Sequence, residues 1–122
     1  VEAKVNDYIK ILDYPPFIYN KRTMVPLRFI SESIGAVVEW DSVVRIVTIT
    51  LEDSSGVKKI LKLSPDSLVA SLNGKPYEMD TPPVIRNDRV YVPIRFILEA
   101  FGAKVEWNEK ERKILITYPG EI

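Results

Sequence analysis

The chain has 122 residues, with 17 basic and 17 acidic side chains and neither His nor Cys. That length fits one domain, or two small repeats sharing a core. The two absences exclude a zinc finger, an imidazole acid–base catalyst, a thiol nucleophile and a disulfide, and the neutral balance argues against charge-driven nucleic-acid binding.

The balance is local as well as global. Basic and acidic side chains number six and six in residues 1–50, three and three in 51–67, and eight and eight in 68–122. No apolar run approaches the ~20 residues of a membrane helix. No signal peptide precedes Val1, although a mature fragment of a secreted protein would read the same way.

The chain repeats itself. Shifted by 67 residues, positions 1–50 lie on 68–117 without a gap, and 22 of the 50 pairs are identical. Pro15-Pro16 falls on Pro82-Pro83, and Asn20 and Arg22 fall on Asn87 and Arg89. Val25-Pro26-Leu27-Arg28-Phe29-Ile30 falls on Val92-Pro93-Ile94-Arg95-Phe96-Ile97, and Val38-Glu39-Trp40 on Val105-Glu106-Trp107. Units this short seldom fold alone. The sequence therefore divides into copy one (1–50), a connecting hairpin or strand (51–67) and copy two (68–117), within one compact domain over 1–122.

In chain order, Asn6-Asp7 and Asn73-Gly74 read as two-residue hairpin turns between short alternating runs. The Pro-Pro pairs impose extended segments that cannot donate to a ladder. Asn20-Lys21-Arg22 and Asn87-Asp88-Arg89 read as second turns. A short helix follows in each copy, with Pro26 or Pro93 at its first position and Gly35 or Gly102 as its left-handed stop. Leu27, Ile30 and Ile34 give its apolar period, matched by Ile94, Ile97 and Phe101.

Two strands come next. Ala36, Val38 and Trp40 alternate onto one face, then Val47, Ile49 and Leu51. Asp53-Ser54-Ser55-Gly56 is a turn, and 57–63 an alternating strand with no counterpart before Val1, so that copy one either lacks its first strand here or borrows this one. The expected class is α+β: two pseudo-repeats, each a small, mostly antiparallel sheet wrapped around one short helix.

Arg28 and Glu32, like Arg95 and Glu99, stand four apart on a helix and read as half-buried structural ion pairs. Trp40 and Trp107 share a face with Val and Ala, which places them in the core. Tyr8, Tyr14, Phe17 and Tyr19 have Lys75, Thr81, Val84 and Arg86 as counterparts. Their aromatic character belongs to copy one alone, as a candidate binding surface or a cluster between the copies. Val37, Val44 and Ile46 correspond to Lys104, Glu111 and Lys113, so this apolar face of copy one is expected to be covered, by copy two, a second chain or a neighbouring module. No carboxylate pair stands out as an acid–base couple, and no phosphate loop, nucleophile elbow or calcium loop is present.

The pattern V-P-[LI]-R-F-I-x-E-x-x-G-A-x-V-E-W resembles the copper amine oxidase N-terminal-like, or stalk, domain, in two tandem copies. The resemblance implies a secreted or cell-wall-associated setting on bacterial surface proteins, beside other modules. In that family the copper and its three His belong to a separate domain. With no His, neither metal, cofactor nor oxidase activity carries over. The reading is a non-catalytic structural and interaction module, a stalk-type spacer, whose partners are neighbouring modules of its parent chain and, by self-association, a second copy. The alternative is a carbohydrate- or peptidoglycan-binding module that takes cell-wall polysaccharide. Nucleic acid and membrane are not expected partners.

Overall fold

A computed structural model describes residues 2–5, 8–11, 14, 16–29, 34–65, 67–108, 110–111 and 113–118, the first two stretches as backbone. Copy one contributes β1 (Glu2–Val5), β2 (Tyr8–Ile11), β3 (Phe17–Tyr19), β4 (Arg22–Pro26), β5 (Val37–Asp41) and β6 (Ile46–Glu52). Residues 27–29 are helical and are labelled α1. The connector forms β7 (Lys58–Leu63). Copy two contributes β8 (Val69–Leu72), β9 (Lys75–Glu78), β10 (Val84–Arg86), β11 (Arg89–Pro93), α2 (Ile94–Ala100), β12 (Lys104–Asn108) and β13 (Lys113–Thr117).

The turns follow from residue type. Asn20 and Lys21 have φ of 53° and 64°, and their counterparts Asn87 and Asp88 have 53° and 63°. Two consecutive positive φ values make the tight mirror-image turn that matches strand twist. Gly102, at φ 85°, ends α2. Its N–H donates to the Glu99 carbonyl, and the Ala103 N–H reaches back to the Leu98 carbonyl, so the last free carbonyls are satisfied.

The strands form three sheets, ordered β12-β13-β1-β2, β10-β11-β4-β3 and β5-β6-β7-β8-β9. Each contains strands of both copies. In the second sheet Val25 pairs with Val92, its own repeat counterpart, flanked by Pro26 with Tyr91 and Met24 with Pro93. A pseudo-twofold axis therefore passes through the Val25–Val92 pair. Both valines are 0% exposed.

This corrects the expected class. Among the described residues strand far outweighs helix, so this is a mostly β protein with several sheets. The fully described helix is too short to organise a layer: α2 has seven residues, since Pro93 still pairs within β11 and Gly102 stops the far end. Nor does each copy close its own sheet around its own helix. The hairpins of each copy are instead joined by ladders between copies, and one core cluster takes Val25, Ile49, Leu61, Val92, Ile97 and Ile116 from both copies and the connector.

Truncating Val25 or Val92 to Ala should each cost about 1–3 kcal/mol in chemical denaturation. Because the two face each other, the double variant should depart from additivity by at least roughly 0.5 kcal/mol. Strict additivity would show that the pair is not a shared contact.

Candidate functional site

Two surface grooves are related by the same 67-residue shift. One, of about 360 Å³, is lined by Pro26, Leu27, Arg28, Phe29, Val38, Trp40 and Val47 of copy one. The turn carrying Asp88, Arg89 and Val90 of copy two closes it, with Tyr14 at the side. The other, of about 500 Å³, is lined by Pro93, Ile94, Arg95, Phe96, Val105, Trp107 and Ile114, closed by Lys21, Arg22 and Thr23 of copy one. Each groove is thus a composite of both copies, because β4 and β11 pair across the axis and carry each turn to the other copy's helix start.

The floors are alike and the rims differ. In the smaller groove the Arg89 guanidinium lies 3.5 Å from the Tyr14 ring centroid and also donates to the Tyr14 hydroxyl. In the larger groove the equivalent Arg22 pairs with the Asp80 carboxylate, its Nε 3.1 Å from Oδ2. That hydrogen bond holds the Asp80 carboxyl below the usual carboxylate range and raises the guanidinium. The larger groove also carries Glu78, Glu99 and Glu106, whereas among the described residues Asp88 is the one carboxylate lining the smaller one.

Trp40 and Trp107 are not core residues, being 39% and 44% exposed. Alternation put them on the correct face, beside buried Ala36 and Ala103. They stand at the far ends of β5 and β12, where they line the grooves instead of the core. Arg95 and Glu99 lie 3.9 Å apart, both about half exposed, so this pair is a weak surface contact and not a half-buried anchor. Arg28 is exposed in the smaller groove, while Glu32 lies outside the described residues.

Two of the copy-one aromatics meet copy two. Phe17 packs on Tyr91 at 4.8 Å between ring centroids, with the Arg86 guanidinium 3.8 Å from its own. Tyr14 is taken by Arg89, and Tyr19 is exposed at the β3–β4 turn. Tyr8 is placed by its backbone in β2, and its side chain lies outside the described residues. The expected cover over Val37, Val44 and Ile46 is not supplied within the chain. Val37 and Val44 are 59% and 58% exposed, and Ile46 is half-buried. The turn presents Val43 and Val44 outward because the Asp41 carboxylate accepts from both of their N–H groups.

Among the described residues no group of three or more His, Cys, Asp or Glu could hold a metal ion. No helix among them is long and apolar enough to cross a membrane. Against known families, the pattern described as Copper amine oxidase N-terminal domain matches residues 4–116 as a single unit. The chain belongs to that family. The one match spans both internal copies, where two tandem domains were expected. The family is an N-terminal domain of the oxidases, not their catalytic one. A search of curated proteins finds no match.

The residues that sequence reasoning missed in this domain are the turn residues Arg22 and Arg89. Their signal was present as an identical Arg two positions after Asn20 and Asn87. Nothing local says that each turn closes the opposite copy's groove.

Asp53 is also held below the usual carboxylate range, first by the Ser55 hydroxyl and then by the Val57 N–H. A carboxylate depressed in the folded state adds stability above its unfolded pKa, lost as pH falls through the folded value. The melting temperature should therefore hold steady from neutral pH to about 5 and fall below about 4. Asp80→Asn should flatten part of that fall, and an unchanged acid limb in the variant would deny Asp80 a role. Val37→Lys with Val44→Lys should shift the melting temperature of the monomer by less than about 4 °C, since exposed sites rarely cost more.

Proposed function

We propose that this chain is a non-catalytic spacer and interaction module, of stalk type, in a secreted or cell-wall-associated bacterial protein. One observation carries the reading: all three sheets contain strands of both copies. Pulling either copy away breaks the β4–β11, β1–β13 and β6–β7–β8 ladders together. A module built this way transmits load as one unit and holds its neighbours at a set spacing. The non-catalytic reading is favoured by the larger groove, whose described carboxylates are exposed and stand beside Lys and Arg.

A second reading has its own support. The smaller groove brings Trp40, Phe29 and Tyr14 beside two guanidiniums, the equipment for stacking a sugar ring and binding its polar groups. Under it the module would take cell-wall polysaccharide in that groove.

Two measurements separate them. Pulled between folded handles, the spacer should unfold in a single event releasing the whole chain. Two successive events of about half that length would overturn it. On purified cell wall and insoluble polysaccharide the spacer should pass through unretained. Retention that Trp40→Ala abolishes while Trp107→Ala leaves it intact would instead establish the carbohydrate reading.

A further inference from the structure

The 67-residue shift maps every described strand onto a partner, with one exception. β1, β2, β3 and β4 fall on β8, β9, β10 and β11, and β5 and β6 on β12 and β13. Within residues 1–122 β7 alone has no counterpart, because the equivalent positions fall outside them.

The consequence is visible in sheet order. One sheet reads β5-β6-β7-β8-β9, and its equivalent reads β12-β13-β1-β2. In the first, β7 lies antiparallel between β6 and β8. In the second, β13 and β1 pair directly and in parallel. Every other strand pair described is antiparallel.

The register makes the comparison stronger. Leu61 of β7 stands opposite Ile49 on one side and Leu72 on the other. Lys62 stands between Thr48 and Ser71. Shifting these flanking residues by the repeat gives Ile116 opposite Val5 and Leu115 opposite Lys4. Those are the pairs found in the direct β13–β1 ladder. The second sheet therefore has the order and register of the first without a middle strand.

We infer that the β13–β1 seam is an acceptor for one more strand, an extended polypeptide segment lying antiparallel to both neighbours. The occupant's chemistry follows from β7. That strand reads Lys-Lys-Ile-Leu-Lys-Leu, and sinks Leu61 and Leu63 into the core at 0% and 1% exposure, while its lysines stay in water. The segment accepted at the seam is a stretch of a neighbouring polypeptide with leucine-like residues at alternate positions and Lys between them.

Insertion exchanges one parallel ladder of four pairs for two antiparallel ones, the more stable pairing per residue. It requires the β1–β2 hairpin to move out by one strand spacing, about 4.8 Å. Strand addition of this kind draws affinity from main-chain hydrogen bonds and selectivity from alternate side chains.

The test uses the full chain and a capped synthetic peptide of residues 57–63. Binding should protect the amides of β13 and β1 from hydrogen exchange. Replacing the peptide's two leucines, those of positions 61 and 63, with Lys should weaken binding at least tenfold. A second form keeps the idea testable if the free peptide binds weakly: residues 56–63 appended behind residue 122. This form should melt at least about 3 °C higher, and the same two Leu→Lys changes in the appended copy should remove the gain. Protection confined to the outer edges β2 or β12 would overturn the acceptor assignment. So would an appended segment that exchanges freely and leaves the melting temperature unchanged.

Discussion

The structure depends on one contact, the antiparallel pairing of Val25 with Val92. A residue that pairs with its own repeat counterpart forces the two copies into twofold relation. Every other long-range ladder then follows. The hairpin β5–β6 reaches β8–β9 through β7, and the hairpin β12–β13 reaches β1–β2 directly. With both valines at 0% exposure, the axis runs through dry protein, where pairing and burial reinforce one another.

The same axis makes the grooves. Because β4 and β11 run in opposite directions side by side, each delivers its preceding turn to the other copy's helix start. Arg22 and Arg89 thus occupy equivalent places at equivalent grooves. Their surroundings differ at several positions, one of which decides each guanidinium's contact. Tyr14 in one copy corresponds to buried Thr81 in the other, so one guanidinium stacks on a ring and the other pairs with Asp80. The repeat supplies a common frame, and divergence at its rim makes two surfaces of different character.

Much of the local structure was legible from residue types. Asn-Gly at 73–74, the turns at 20–21 and 87–88, and the glycine stop at 102 follow from backbone sterics, which act within four residues. Strand faces were legible too, since Val47, Ile49 and Leu51 all point inward. What misled was distance along a face. Alternation states the side on which Trp40 stands, but not whether the core reaches the end of its strand. The apolar Val37 and Val44 likewise invited a cover that the chain does not supply, because a hydrophobic pattern records a tendency to be buried and not the presence of a partner. The α+β expectation failed for a related reason: the helical signal of α2, of the right chemistry, was too short to form a layer.

The sequence by itself determined the repeat, the turn geometry, the alternation of each strand and the exclusion of His- or Cys-based chemistry from 122 charge-balanced residues. These are local or compositional properties, and the chain's chemistry sets them directly. Only the tertiary structure decided which strand lies beside which, that the two copies interleave in every sheet, and that each groove is shared. A strand's free N–H and C=O groups are the same whichever neighbour satisfies them, so hydrogen bonding does not choose the partner. The choice is made by the burial of side chains from distant parts of the chain, which no local pattern encodes.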